Sequence, residues 1–258
     1  MKNRRLLLVL APLATLAVLC AGAALGIRSV LEGGKPFEDG RTFADGSIQR
    51  VADGYVSAFV IDNGDGVVLV DANMDPSAAT LLAALRRRGQ GPDDVQAILF
   101  THGHGDHVGG AAAFPGAVLY ALEPDVDLIQ GERVADNLLG KARQPQPTGL
   151  VVARALQDGE VLTLGDLEVE AFALPGHSRG CAAYLFRGVL FLGDAAASTV
   201  DDQLVGPPPV FSADREAGVN SLRALAARLE GRQAEIEWLV PSHQGALEGP
   251  DALMAWTD

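Results

Sequence analysis

Six consecutive residues in the middle of the chain hold four side chains that can bind a metal ion. In a chain with only five histidines, this segment reads His102-Gly103-His104-Gly105-Asp106-His107. The other two histidines, His177 and His243, lie downstream in turns rich in Gly and Pro, with Asp194 between them. Neutral imidazole and carboxylate are the usual ligands of zinc and similar divalent ions. The density of these side chains predicts a metal site rather than isolated surface or core histidines.

Each of these candidate ligands follows an apolar segment that has the pattern of a buried β-strand. The cluster follows residues 95–100, His177 follows 167–174, Asp194 follows 189–192, and His243 follows 236–240. Strands that end at one edge of a sheet bring the residues after them into one cleft. We therefore expect the histidines and Asp194 to meet there.

Other patterns predict the scaffold around that cleft. Residues 55–61 and 66–70 form a hairpin across Asn63-Gly64-Asp65-Gly66, and residues 160–164 and 182–186 are further strands. Residues 76–88 and 214–229 have helical patterns, the first with a Pro at its start and a Gly at its end. Residues 123–149 lack periodicity and form either a passive loop or a lid over the site.

Composition limits the class of protein. Hydrophobic residues make up 48% of the chain, which is enough to build a sizeable core and argues against disorder. The formal net charge of −13 argues against nucleic acid as a partner, because an acidic surface repels phosphate. A small-molecule substrate is the expected partner, and the sequence carries no signal of oligomeric state.

The first residues have the pattern of a targeting segment. Lys2, Arg4 and Arg5 precede the uncharged residues 6–27, and Ala21-Gly22-Ala23 offers a cleavage site. Residues 1–28 are therefore predicted to be a signal peptide or an N-terminal membrane anchor, 29–46 a linker, and 47–258 the functional domain. The domain would be exported, either periplasmic, extracellular or tethered to the inner membrane, with membrane contact only through residues 6–27 if these are not cleaved.

Two cysteines are present, and Cys20 lies in the targeting segment. The functional domain is therefore expected to have no internal disulfide. We interpret Cys181, four residues after His177, as a small buried residue rather than a ligand or nucleophile.

Taken together, these motifs resemble the metallo-β-lactamase fold superfamily over residues 47–249. The resemblance rests on Leu69-Val70-Asp71, Thr101-His102-Gly103-His104-Gly105-Asp106-His107-Val108-Gly109-Gly110, Pro175-Gly176-His177-Ser178, Leu192-Gly193-Asp194 and Pro241-Ser242-His243. It implies a mixed α/β (α+β) fold, a four-layer αββα sandwich with two metal ions at one edge of the sheets.

The resemblance also assigns roles to individual residues. It implies a first metal ion held by His102, His104 and His177, and a second held by Asp106, His107 and His243. Asp194 would bridge the two ions, and Asp71 resembles the aspartate that orients a ligand histidine.

Metal-ligand residues differ among superfamily members and indicate which members this chain most resembles. The commonest class of β-lactamases has a cysteine where this chain has Asp194, and di-iron flavoproteins have a glutamate in place of His104. The full ligand set is more similar to glyoxalase II and the lactonases. Residues 244–258 hold no Lys, Arg or Tyr, so we do not expect the glutathione-binding helices of glyoxalase II there.

The function implied is hydrolysis of an ester, thioester, lactone or lactam by a hydroxide held between two divalent ions, with Asp106 helping to move the proton. Zinc is the expected metal, although iron and manganese accept the same ligands. Tyr55, Ser178 and Tyr184 are candidate proton donors. Two alternatives stay open: a mononuclear iron oxygenase acting on sulfur compounds, and a non-catalytic exported metal-binding protein.

Overall fold

The computed structural model describes residues 33–256, and the larger compact unit of the chain begins at Lys35. The predicted signal peptide or anchor, residues 1–28, lies outside the described residues and stays a prediction. Among residues 33–256 we find no helix with the length and apolar character that a bilayer crossing requires.

The first sheet has seven strands in the order β1-β2-β3-β4-β5-β6-β7. Strands β1 to β4 are antiparallel, and β4 to β7 are parallel to one another. Their bounds are Thr42–Phe43, Ile48–Asp53, Val56–Asp62, Val67–Val70, Val95–Leu99, Val118–Leu122 and Arg154–Leu156.

The second sheet has six strands in the order β15-β14-β11-β10-β9-β8, and a separate hairpin pairs β12 with β13. Within this sheet, β11 and β14 are parallel and the other neighbours are antiparallel. The bounds of β8 to β15 are Val161–Leu164, Leu167–Ala173, Ala182–Phe186, Val189–Gly193, Ala197–Ser198, Leu204–Val205, Trp238–Pro241 and Leu247–Glu248.

Among residues 33–256, two α-helices are long enough to cover a sheet, α1 at Ala79–Arg87 and α4 at Arg215–Arg228. The Asp214 carboxylate caps α4 by accepting a hydrogen bond from the Ala217 amide at 3.0 Å. The bounds of α1 to α5 are Ala79–Arg87, Gly105–Val108, Val126–Ile129, Arg215–Arg228 and Asp251–Met254.

Three apolar layers show how these elements stack. Side chains alternate along β3, so that Phe59 and Ile61 face the second sheet whereas Ala58 and Val60 pack with α1. The Phe59 and Phe191 rings meet between the sheets with centroids 4.8 Å apart. A third layer packs α4 against the outer face of the second sheet. The resulting α1–sheet–sheet–α4 order confirms the four-layer αββα sandwich expected from the sequence.

This arrangement places the candidate ligands at one edge of the sandwich. Strands β4 and β5 are parallel and end just before Asp71 and the histidine cluster. Strands β11 and β14 are also parallel, and they end just before Asp194 and His243. Each sheet therefore contributes ligands from neighbouring strand ends, as the sequence predicted.

Residues 35–46 belong to the predicted linker, 29–46, and they contact the rest of the described body. Phe43 is 3% exposed in the layer between the sheets, and its ring lies 5.6 Å from that of Trp238. The Lys35 carbonyl accepts a hydrogen bond from the Gly245 amide at 2.7 Å, which fixes the start of the segment. The polar, Gly-rich composition gave no signal of these few apolar and backbone contacts, and the boundary at residue 47 stays a prediction.

Tyr184 provides a test of the layer between the sheets. Its side chain is fully buried and its hydroxyl donates to the Phe100 carbonyl at 2.8 Å. We expect Tyr184→Phe to lower the free energy of unfolding by about 1–3 kcal/mol, because it leaves a buried carbonyl without that donor. Urea denaturation of the metal-free protein measures the change. The half-buried Tyr120 supplies the control Tyr120→Phe, and equal stability of both variants and the wild type would contradict the expectation.

Candidate metal centre

Seven predicted ligand side chains, from segments far apart in the chain, meet at the edge of the two sheets. They form three overlapping triads, and within each triad the potential ligand atoms lie within 4.8 Å of one another. The triads are His102–His104–His177, His102–His107–Asp194 and Asp106–His107–His243. The structure thus brings together all of the residues that the sequence singled out for metal binding.

Asp194 lies between the two halves of this array. Its Oδ2 is 3.4 Å from Nε2 of His177 and 3.1 Å from Nε2 of His243, and its Oδ1 is 3.4 Å from Nε2 of His107. One carboxylate therefore approaches histidines from both outer triads. This is the position that the bridging role requires.

The donor atoms fit a bound cation. Nε2 of His102, Nε2 of His107 and Oδ1 of Asp194 are buried and have no hydrogen-bond partner. Leaving such groups unsatisfied costs about 1–3 kcal/mol each, so three of them facing one space are explained by a shared electrophile. The nitrogen and oxygen donors suit a divalent ion such as zinc, iron or manganese.

Asp71 orients His107 within the array. Its fully buried carboxylate accepts a hydrogen bond from Nδ1 of His107 at 2.8 Å. The same carboxylate accepts from the Thr101 amide and the Thr101 hydroxyl, both at 2.8 Å. Because Nδ1 of His107 is bonded to Asp71, Nε2 of His107 faces the other candidate ligands.

Three further histidines are held in the same way. Nδ1 of His102 lies 3.2 Å from the Thr101 hydroxyl, and Nδ1 of His177 lies 3.3 Å from the Ser212 hydroxyl. Nδ1 of His243 donates to the Tyr55 carbonyl at 2.8 Å. Each contact turns Nε2 toward the array and favours the tautomer that leaves the Nε2 lone pair free to bind a cation.

The backbone beside these contacts leaves little room for change. Asp71 lies in the left-handed region at φ 58°, which a non-glycine residue rarely adopts. Gly193, at φ 53°, faces Thr101 so closely that a Cβ there would lie 2.6 Å from Cβ of Thr101. A larger residue before Asp194 would therefore displace the side chain that orients His102 and contacts Asp71.

Asp125 is a functional residue that sequence reasoning missed. Its buried carboxylate accepts from the Gly103 amide and the Gly180 amide, each at 2.9 Å. It thereby joins the loop that carries His102 and His104 to the loop that carries His177. Asp125 lies in residues 123–149, where the lack of periodicity gave no signal of a buried carboxylate.

A hydrogen bond also connects the remainder of that segment to the body. Nδ2 of Asn137 donates to the Phe211 carbonyl at 2.9 Å, and this connects the segment to the loop before α4. Next to Asn137, Leu138 is 75% exposed. The segment is therefore attached to the body, and Leu138 and Leu139 face solvent.

Charges in the site alter the pKa values of the ligands. Burial lowers the pKa of His107, but the carboxylates of Asp194, Asp71 and Asp106 outweigh burial and raise it to about 10. For His177, burial dominates and lowers the pKa to about 3. Burial opposes ionisation of Asp194, yet His243, His107 and His177 hold its pKa well below the usual range. Without a metal ion, the His107 imidazole is therefore protonated on both nitrogens and positively charged, and it lies beside an ionised Asp194.

The structure also shows the burial of Cys181 and of the three candidate proton donors. Cys181 is fully buried and belongs to none of the triads, and burial raises the pKa of its thiol well above the usual value. This confirms that Cys181 is a small core residue. The hydroxyls of Tyr184 and Ser178 are buried as well, whereas Tyr55 is 49% exposed and stacks on His243 with ring centroids 5.5 Å apart.

The comparisons with known proteins agree with this geometry. Residues 51–243 match the family model of the metallo-beta-lactamase superfamily. The match covers well over half of the chain, and the protein belongs to this superfamily.

Individual relatives are similar to this chain in sequence. A hydroxyacylglutathione hydrolase of Xanthomonas axonopodis pv. citri (strain 306) is 34% identical over 146 residues, which are 57% of this chain and 48% of the relative. The chain thus matches about half the length of that relative. The probable metallo-hydrolase YybB of Bacillus subtilis (strain 168) is 30% identical over 173 residues, covering 64% of this chain and 73% of the relative.

Solved structures extend the comparison to most of the chain. A subclass B3 metallo-beta-lactamase of Bradyrhizobium japonicum has a TM-score of 0.60 and 27% identity, covering 88% of this chain and 84% of its own. A B3 metallo-beta-lactamase with an active-site glutamic acid has a TM-score of 0.65 at 24% identity, covering 89% and 90%. The second likeness speaks for the fold alone.

The hydrogen bond from His107 to Asp71 can be tested by one substitution. Asn tolerates the left-handed backbone of position 71, so Asp71→Asn changes the acceptor without straining the chain. An amide donor beside Nδ1 favours the tautomer that protonates Nε2. We therefore expect the affinity for zinc to fall about 10- to 100-fold in a competition titration with a chromogenic chelator. The exposed Asp93 supplies the control Asp93→Asn, and equal affinity of both variants would contradict the orienting role.

The raised pKa of His107 gives a second test. Metal ligands must be deprotonated, so loading the site at about pH 7 should expel the proton that His107 carries below its pKa of about 10. Zinc calorimetry in buffers of different ionisation enthalpy should show at least about one proton released per chain. His107→Ala, which lacks this proton, should release correspondingly fewer. Release of no protons by the wild type would show that His107 is already neutral.

Proposed function

We propose that the protein is a metal-dependent hydrolase that cleaves an ester-type carbonyl bond of a small molecule: an ester, thioester, lactone or lactam. The observation that carries the proposal is the position of Asp194 between the two outer ligand triads, close to His177 of one and His107 of the other. The relatives support it, since those above are named as hydrolases of hydroxyacylglutathione and as β-lactamases.

The chain's residues divide between two cation sites. His102, His104 and His177 would hold one ion, Asp106, His107 and His243 the other, with Asp194 common to both. Divalent ions held there would polarise a carbonyl oxygen and lower the pKa of water to about 7. The buried, hydrogen-bonded imidazoles keep the donor atoms fixed, so little reorganisation is needed when charge develops on a substrate.

Asp106 is suited to handling the proton of the attacking water. Its Oδ2 lies 3.5 Å from Nε2 of His243 and 3.9 Å from Nε2 of His107, at the edge of the array. The Asp106 side chain is 23% exposed, against 7% for Asp194, so it is the carboxylate that an incoming substrate meets. Its role as a ligand would restrict the directions in which it accepts the proton.

Tyr55 is the strongest of the three candidate proton donors, because Tyr184 and Ser178 are buried. Burial, together with the charges of Asp106 and Asp194, raises the pKa of Tyr55, so its phenol keeps its proton at neutral pH. A protonated phenol stacked on His243 can donate to a leaving group. Met74 lies beside the same hairpin and adds apolar surface to this side of the cleft.

The test combines metal content with turnover. We expect two zinc ions per chain by elemental analysis, and metal-dependent hydrolysis of at least one class in a panel of esters, thioesters, lactones and β-lactams. His104→Ala removes a donor from the first triad and should lower turnover at least about 100-fold, since metal-ligand loss removes the carbonyl-polarising group. Chelation followed by reloading with zinc controls for irreversible damage.

Different outcomes point to the alternatives. One iron ion per chain, with oxygen uptake on addition of a persulfide, would identify the oxygenase. Full loading with two ions and no turnover across the panel would indicate a non-catalytic binding protein. Wild-type metal content and turnover in His104→Ala would refute the assignment of the site itself.

A further inference from the structure

Arg50 is a cation buried among apolar side chains. It lies on β2, facing the layer between the sheets, and its residue is 0% exposed. Among the residues that the structure describes, no other Lys or Arg is buried. The Arg50 guanidinium lies between two rings, 5.2 Å from the centroid of Phe37 and 5.3 Å from that of Phe59.

Most of the hydrogen-bonding capacity of this guanidinium is unused. Nη2 donates to the Pro241 carbonyl at 2.6 Å, while Nε and Nη1 are buried without a hydrogen-bond partner. A buried charge without an ionic partner is costly, and well-packed apolar residues of similar volume are often at least as stabilising. Stability of the fold alone therefore does not explain an arginine at position 50.

The hydrogen bond that the Arg50 side chain makes is directed at the end of a ligand strand. Pro241 is the last residue of β14 and lies two positions before His243. It pairs with Gly193, and the amide of the next residue, Ser242, donates to the Gly193 carbonyl at 3.1 Å. The carbonyl held by Arg50 thus belongs to the backbone that positions both His243 and the residue before Asp194.

The hairpin that carries Arg50 holds His243 a second time. Five residues after Arg50, between β2 and β3, the Tyr55 carbonyl accepts from Nδ1 of His243 at 2.8 Å. The hairpin of the first sheet therefore fixes the backbone of the 241–243 turn through Arg50 and the imidazole through Tyr55. His243 comes from the second sheet, whereas its partners Asp106 and His107 follow β5 of the first sheet, so the turn needs a connection across the sheets.

We propose that Arg50 is a positioning residue for the second cation site: it clamps the Pro241 carbonyl across the two sheets and so holds His243 in reach of Asp106 and His107. This inference rests on the two-ion site of the proposed function. It also predicts which substitution preserves the role. Since one donor makes the contact, a lysine ammonium can replace the guanidinium, but a methionine cannot.

The experiment compares Arg50→Met and Arg50→Lys with the wild type by metal titration and cobalt absorption spectra. We expect Arg50→Met to bind the first ion normally and the second about 10- to 100-fold more weakly, the effect typical of losing a ligand's supporting contact. Arg50→Lys should restore the second affinity to within about threefold, a smaller loss than that range. Thermal unfolding of metal-free Arg50→Met should occur at or above the wild-type temperature. Ile48→Met, on the same face of β2, controls for altered packing.

The readouts separate this inference from the proposed function. If the wild type binds a single ion, the two-ion function fails. If the wild type binds two ions and Arg50→Met binds both with wild-type affinity, the clamp alone is refuted. Weaker binding of both ions to the same extent in Arg50→Met, Arg50→Lys and Ile48→Met would also refute it, because the effect would then come from core packing. Should Arg50→Met fail to fold, Arg50→Lys and Arg50→Gln carry the comparison, with the clamp refuted if both bind the second ion as Ile48→Met does.

Discussion

The whole site depends on keeping imidazole nitrogens buried, close together and aimed at one space. Rings of His102 and His107 lie with centroids 4.0 Å apart, and those of His104 and His177 lie 4.6 Å apart. Such an assembly is unfavourable unless a cation accepts the nitrogen lone pairs. Burial excludes the water that would otherwise bind these nitrogens, and protonating several neighbouring imidazoles would place like charges close together. Hydrogen bonds to Nδ1 fix the orientation of four of the imidazoles, and their partners are Asp71, Thr101, Ser212 and the Tyr55 carbonyl. Asp194 supplies a negative charge beside these rings.

The sandwich brings these side chains together because each of its two sheets carries one part of the site. The first sheet presents Asp71 and the residues after β5, while the second presents Asp194 and His243 after β11 and β14. Contacts that cross between the halves then set the geometry of the centre. The Asp125 carboxylate connects the loops of Gly103 and Gly180. The β2–β3 hairpin is hydrogen-bonded to the 241–243 turn through the Arg50 side chain and the Tyr55 carbonyl. Each of these contacts joins residues distant in sequence, so the centre forms only when the two sheets pack.

The sequence contained most of the scaffold and the ligands, because both leave local signals. The strand before the histidine cluster is apolar except for Gln96, and the candidate metal-binding side chains follow strand ends directly. The features that the sequence did not reveal depend on contacts between residues far apart in the chain. Strand β2 escaped prediction because Arg50 places a charge on its buried face and disturbs the expected alternation. Asp125 is separated from its two amide donors by 22 and 55 residues, and no local pattern reports such contacts.

The most direct test of the account is anomalous diffraction from crystals of the zinc-loaded protein. The account predicts two zinc peaks on opposite sides of the Asp194 carboxylate, one beside His102, His104 and His177 and the other beside Asp106, His107 and His243. A single peak, or zinc bound away from Asp194, would contradict it.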